Sequence, residues 1–108
     1  MHNIMIKKIS KHFEKYIIPL KDINIHKDGL RKESFEFLDK FFTTNEWPLE
    51  LGKVILSQYP DSLQKVVEDG RHRLLLAIKH GIKEIPAIVK IYDNLGNIIK
   101  MKDVLIYD

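Results

Sequence analysis

"VVEDGRHRLLLAIKHG", residues 66–81, is the stretch on which the reading of this chain turns. Val66 and Val67 are β-branched and suit a strand. Gly70 marks a turn. Residues 74–78 are apolar on almost every side, as in a buried helix, and Gly81 suits its left-handed cap. A helix is therefore expected over 71–80, and its first turn holds Arg71, His72 and Arg73. A helix amino end carries about +0.5 of a charge, and a cation there is disfavoured by about 0.3–1 kcal/mol. Two arginines and a histidine at that end call for a negative counterpart.

Working outward, "LQKVVE" (63–68) is a strand expected to pair as a hairpin with "GKVILSQY" (52–59) across the turn "PDS". "EIPAIVKIY" (84–92) is a strand containing Pro86, and "IIKMKDVLIY" (98–107) is the last one, after a turn at Asp93 and Asn94. Upstream, Phe35, Leu38 and Phe42, joined by Phe41, line one face of a helix over 31–44, which Pro48 follows as a stop. Phe37 falls off that face and is expected to be exposed, whereas Trp47 is expected to plug the core or its rim. "YIIPLKDINI" (16–25) reads as extended, because Pro19 opposes a helix there. Met5, Ile9 and Phe13, with Ile6 beside them, suit a short amphipathic helix. Strands and helices mix without strict alternation. The expected class is α+β, a small mixed sheet with a few helices packed on it, as one domain over 1–108.

Composition narrows the functions. The 108 residues are 44% hydrophobic, enough for a small core. A net charge of +3 favours anionic partners only slightly, and the scattered lysines form no basic tail or stripe. The chain has no cysteine, which excludes disulfides, thiolate nucleophiles and cysteine-bound zinc. Lys7, Lys8, Lys11 and Lys15 break the apolar run that a signal peptide needs, and no stretch approaches the roughly 20 apolar residues of a membrane span. A cytoplasmic protein without a membrane partner is expected.

The chemistry concentrates at Gly70. A strand-to-helix turn leaves backbone N–H groups aimed at one spot, which is how helix starts hold phosphate. Arg71 and Arg73 would add forked donors matched to phosphate oxygens, and His72 a donor or, if neutral, a base. The plain alternative is a solvated charge cluster in which Glu68 and Asp69 neutralise the arginines and Asp69 caps the helix. No serine–histidine–acid set and no Walker loop is present. Glu68, Asp69 and His72 are the candidates for acid–base chemistry, although two adjacent acids on a strand diverge unless the turn bends them together. His26 with Asp28 looks like a solvated pair rather than half a metal site, and His80 near Gly81 suits the negative end of its helix.

"EDGRHRLLLAIKHGIKEIPAIV", residues 68–89, resembles the signature of the ParB/sulfiredoxin superfamily: a strand, a glycine turn, a basic or histidine pair opening a helix, a glycine, and a strand beginning "IPAIV". "YIIPLKDI", "GLRKESFEFLDKFF" and "PLELGKVIL" resemble the family's earlier strand, its early arginine with the following helix, and the strand before the signature. In that family the loop grips nucleotide phosphates, of CTP in chromosome-partitioning proteins and of ATP in sulfiredoxins. The resemblance implies Gly70, Arg71, His72 and Arg73 as phosphate-binding positions, with Arg31 as the early arginine. It also implies a Mg2+ ion that Asp69 or Glu68 would help to hold. Sulfiredoxins place a cysteine where Arg71 stands, so sulfinic acid repair is excluded. Neither a helix-turn-helix region nor a later asparagine–arginine phosphate motif follows, so DNA clamp activity is not expected. The resemblance thus implies a nucleoside-triphosphate-binding domain with hydrolysis or phosphoryl transfer to a small molecule. The alternatives are a DNA-binding or nuclease-type member and a non-catalytic interaction or regulatory domain.

Overall fold

The structure is a computed structural model that describes residues 17–108. The helix expected around Met5, Ile9 and Phe13 lies outside the described residues. In chain order the elements are β1 (Ile17–Pro19), β2 (Ile23–Asn24), α1 (Lys32–Asp39), β3 (Val54–Gln58), β4 (Lys65–Asp69), α2 (Arg71–Lys79), β5 (Glu84–Tyr92) and β6 (Ile98–Tyr107). One-turn 3-10 segments sit at Leu20–Asp22 and Leu49–Leu51.

The strands form one mixed sheet in the order β1-β6-β5-β3-β4-β2. β3 and β4 pair antiparallel, as the hairpin pattern predicts, and so do β5 and β6, while β3–β5, β1–β6 and β2–β4 are parallel. This order forces the sheet to curl. Flat, its outer strands would stand about 24 Å apart at about 4.8 Å per spacing. Yet β1 and β2 hold opposite edges and are joined only by Leu20–Asp22, a link that spans at most about 14 Å. The segment expected as one extended run is therefore two short strands with a helical turn between them, one strand on each edge.

Side chains alternate across the curl. Val54 and Leu56 of β3, Val67 of β4, Ile85, Ala87 and Val89 of β5, and Val104 and Ile106 of β6 point inward. Leu74, Leu76 and Ala77 of α2 are buried with them, as the apolar run predicts. Trp47 is buried against the edge of Phe42 and donates its indole N–H to the Gly52 carbonyl at 2.8 Å. Phe37 is exposed, as its position off the stripe predicts.

The end of α1 departs furthest from the expected helix bounds. α1 ends at Asp39, five residues before Thr44. The backbone tightens there: Phe41 N–H bonds Leu38 O and Phe42 N–H bonds Asp39 O, both at 3.0 Å. Those i→i+3 bonds turn Phe42 into the core, where its ring stacks on His80 at 5.3 Å. His80 also meets Asp39 Oδ1 at 2.8 Å, so it ties the ends of the two helices together besides facing a helix dipole. Among the described residues no helix is long and apolar enough to cross a membrane.

Candidate functional site

β4 reaches α2 through Gly70, whose φ of 103° is the left-handed conformation that glycine alone adopts without cost. A Cβ at Gly70 would also lie 2.8 Å from Nη2 of Arg73, so the guanidinium would have to shift to admit it. The turn supplies no side-chain cap to α2, and the first turn of α2 contains no acid. The first N–H groups of a helix have no partner within it.

The two arginines of this turn reach sideways to neighbouring loops. Arg71 Nη1 donates to the carbonyls of His26 at 2.7 Å and Asp28 at 2.6 Å. Arg73 Nη1 donates to the carbonyls of Leu51 and Lys53, and its Nη2 lies 3.5 Å from Asp69 Oδ2. Each guanidinium therefore staples a loop to the amino end of α2. A hydrogen bond from a charged donor contributes about 1.5–3 kcal/mol, against a dipole cost of about 0.3–1 kcal/mol for the cation. The staples outweigh the dipole, and the cations at the positive end have an intramolecular reason.

His72 joins the two helices. Its Nε2 accepts the backbone N–H of Arg31, the N-cap of α1, at 2.9 Å, and its ring meets the edge of Phe35 at 4.7 Å between centroids. A ring nitrogen that accepts carries no proton, so the neutral ring holds its proton on Nδ1. Burial pushes the His72 pKa below the ordinary value, and the charges of Arg71 and Arg31 push it the same way. The Arg31 side chain itself has no hydrogen bond or ion pair among the described residues, and Nη2 and Nε of Arg71 have none either.

The structure thus brings together Gly70, Arg71, His72 and Arg73, and Arg31 joins them through its backbone N–H. Asp69 joins them through Arg73, with its side chain 75% exposed. Glu68 does not join them. It points to the opposite face of β4, where Oε1 accepts from Ser57 Oγ at 2.6 Å and Tyr92 OH at 2.8 Å, and Oε2 from Lys90 Nζ at 3.0 Å. The Ser57 hydroxyl first, then Tyr92 and Lys90, hold the Glu68 carboxyl below the usual carboxylate range. It is a fixed anion inside a polar cluster. Glu68, Asp69 and His72 consequently do not converge on a common point, and His72 Nε2 is occupied. Among the described residues no three His, Asp or Glu side chains gather as a metal cage.

Sequence reasoning missed the loops at 26–28 and 51–53, which complete the site through their carbonyls, and the Ser57–Glu68–Lys90–Tyr92 cluster. For the cluster a signal existed: Ser57 is a lone hydroxyl at the end of an apolar strand. Comparison of the chain with models of known protein families, with curated proteins and with solved structures found no match.

Proposed function

We propose that the chain is a ParB/sulfiredoxin-like domain that binds the polyphosphate of a nucleoside triphosphate, CTP or ATP, at the amino end of α2. A charge imbalance carries this reading. The guanidinium groups of Arg71 and Arg73 stand at an uncapped helix start, the backbone of Arg31 bonds His72 beside them, and Asp69 is the one carboxylate paired with any of these arginines among the described residues. The carbonyls that hold Arg71 and Arg73 satisfy donors without cancelling charge.

In this reading the groups that touch phosphate are the Arg31 guanidinium, Nη2 and Nε of Arg71, Nδ1–H of His72 and the first N–H groups of α2. Arg73 and Gly70 act as positioning residues. Mg2+ would be held mainly by the ligand's own phosphates and water, and Asp69 is the carboxylate beside Arg73 that could join. The ion would neutralise developing charge. Phosphoryl transfer depends mostly on positioning and charge stabilisation, and the arginine-rich helix start contributes both. Glu68 has no part in it.

The test is a thermal-shift and calorimetric screen of CTP, ATP, GTP and UTP with Mg2+ on the wild type and on Arg31→Ala. At about 100 times its dissociation constant, a ligand stabilises the folded state by about 2.7 kcal/mol. Stabilisation of the wild type, weakened at least tenfold in affinity by Arg31→Ala, supports the reading. No response to any triphosphate, or an equal response in the variant, overturns it.

A further inference from the structure

The carboxyl end of α2 presents a second feature, built on residues that the nucleotide reading does not use. There a groove of about 430 Å3 is floored by Trp47, Ile82, Pro86 and Leu105. Leu49 stands on its rim with 87% of its surface exposed. This leucine is not on a loose loop. It begins the 3-10 turn Leu49–Leu51, and buried Trp47, two residues before it, is bonded to the Gly52 carbonyl just after that turn. A large apolar side chain held out by a rigid turn has little ordering left to lose on contact, which is the property of an interface anchor.

The apolar surface continues over the outer face of the sheet. Ile17, Leu105 and Pro86 lie side by side across β1, β6 and β5, and Tyr107 follows in the next row. Ile17 and Tyr107 are exposed. The rim of the groove carries both signs of charge, Glu46 and Glu84 against Lys83. Their side chains line one cavity, yet none forms an ion pair among the described residues.

We propose that this groove is the interface of a two-fold homodimer, in which Leu49 of each copy enters the groove of the other and Lys83 faces the Glu46–Glu84 pair across the axis. A two-fold contact must be self-complementary. A knob on the rim of its own hole, beside unpaired charges of both signs, meets that condition, whereas a partner of one charge would face like charge at either Lys83 or the two glutamates. The patch is small for a protein interface, so the dimer is concentration-dependent.

Sedimentation equilibrium of the full chain over a hundredfold concentration range tests it, with far-UV circular dichroism to confirm folding. The wild type is expected to pass from monomer to dimer. Leu49→Asp, at an exposed position, is expected to weaken the dimer at least tenfold without altering the fold. Lys83→Glu and the double variant Glu46→Lys, Glu84→Lys should each dissociate alone and form a heterodimer when mixed, because only the mixture opposes unlike charges. A wild type that stays monomeric throughout, a Leu49→Asp dimer of unchanged affinity, or charge variants that do not associate on mixing would each overturn the proposal.

Discussion

Replacing Arg73 by methionine tests whether the arginines of the glycine turn are staples. Methionine keeps most of the apolar stem and removes the guanidinium. The side chain is only 16% exposed, so water does not fully replace the lost partner. The bond to Leu51 O contributes about 1.5–3 kcal/mol, and its loss strands a carbonyl. The contact with Lys53 O is long at 3.4 Å and adds little. The Asp69 contact, at 3.5 Å from a mostly exposed carboxylate, is screened and worth at most about 0.5 kcal/mol. A loss of about 2–3 kcal/mol follows, which lowers the Tm of a domain this size by roughly 10–20 °C. Urea and thermal unfolding by circular dichroism measure it.

Arg31→Ala is the matched control. Its side chain has no bonded partner among the described residues, and its backbone N–H still reaches His72, so stability should stay within about 0.5 kcal/mol of the wild type. Asp69→Asn should likewise cost about 0.5 kcal/mol or less, because the carbonyl bonds remain. If Arg73→Met were as stable as the wild type, or Asp69→Asn as damaging as Arg73→Met, the staple assignment would be wrong.

Three further outcomes follow from the same geometry. Gly70→Ala should cost about 2 kcal/mol, part from the left-handed backbone and part from crowding Arg73; in an Arg73→Met background the second part should vanish, and a double-mutant cycle of unfolding energies reads the coupling. For His72, the unfolded ring takes up its proton at the ordinary pKa of 6.5, while the folded ring resists to lower pH. Stability should therefore fall as pH drops from 6.5 through the lowered folded value, by at most about 1.4 kcal/mol per unit for one proton. His72→Gln, which can still accept from Arg31 N–H, should flatten that slope in urea titrations. Glu68 has its folded pKa below 4.5, so its contribution is present above 4.5 and is lost as pH falls through the folded value; Glu68→Gln should reduce the steepness of acid unfolding there.

How much of this was legible depended on where each signal is carried. β3 to β6 and α2 follow local patterns of apolar and branched residues, and their order along the chain was readable. The end of α1 was not, because Phe42 extends the apolar stripe whether the last turn is α or 3-10; packing against Trp47 and His80 decides it. β1 and β2 were merged because nothing near Pro19 announces that the sheet must close on itself. The divergence of Glu68 and Asp69 was readable from strand alternation. The staples were invisible for a definite reason: the acceptors of Arg71 and Arg73 are backbone carbonyls, which every residue possesses. Arg71 meets its partners 43 and 45 residues away, and no side chain at 26 or 28 encodes that meeting.

The staples also bear on what the amino end of α2 can bind. A guanidinium bonded to a carbonyl is held in place while its unit charge stays, because a carbonyl is a dipole. Had Glu68 turned toward the arginines, it would have removed one charge and required an entering anion to displace it. Strand alternation sends it to Ser57, Tyr92 and Lys90 instead. The guanidinium groups of Arg71 and Arg73 are thus fixed in position by carbonyls, and Arg31 and Arg71 have no carboxylate partner among the described residues. An anion arriving there need break no ion pair to Arg31 or Arg71 and order no arginine at position 71 or 73. Its affinity should then depend on salt through Arg31 and Arg71, and much less through Arg73, whose charge Asp69 already opposes. Titrating pyrophosphate calorimetrically at two ionic strengths distinguishes the contributions: Arg31→Ala should reduce the salt dependence, and Asp69→Asn should tighten binding. A salt dependence unchanged by Arg31→Ala would mean that its charge does not act at this site.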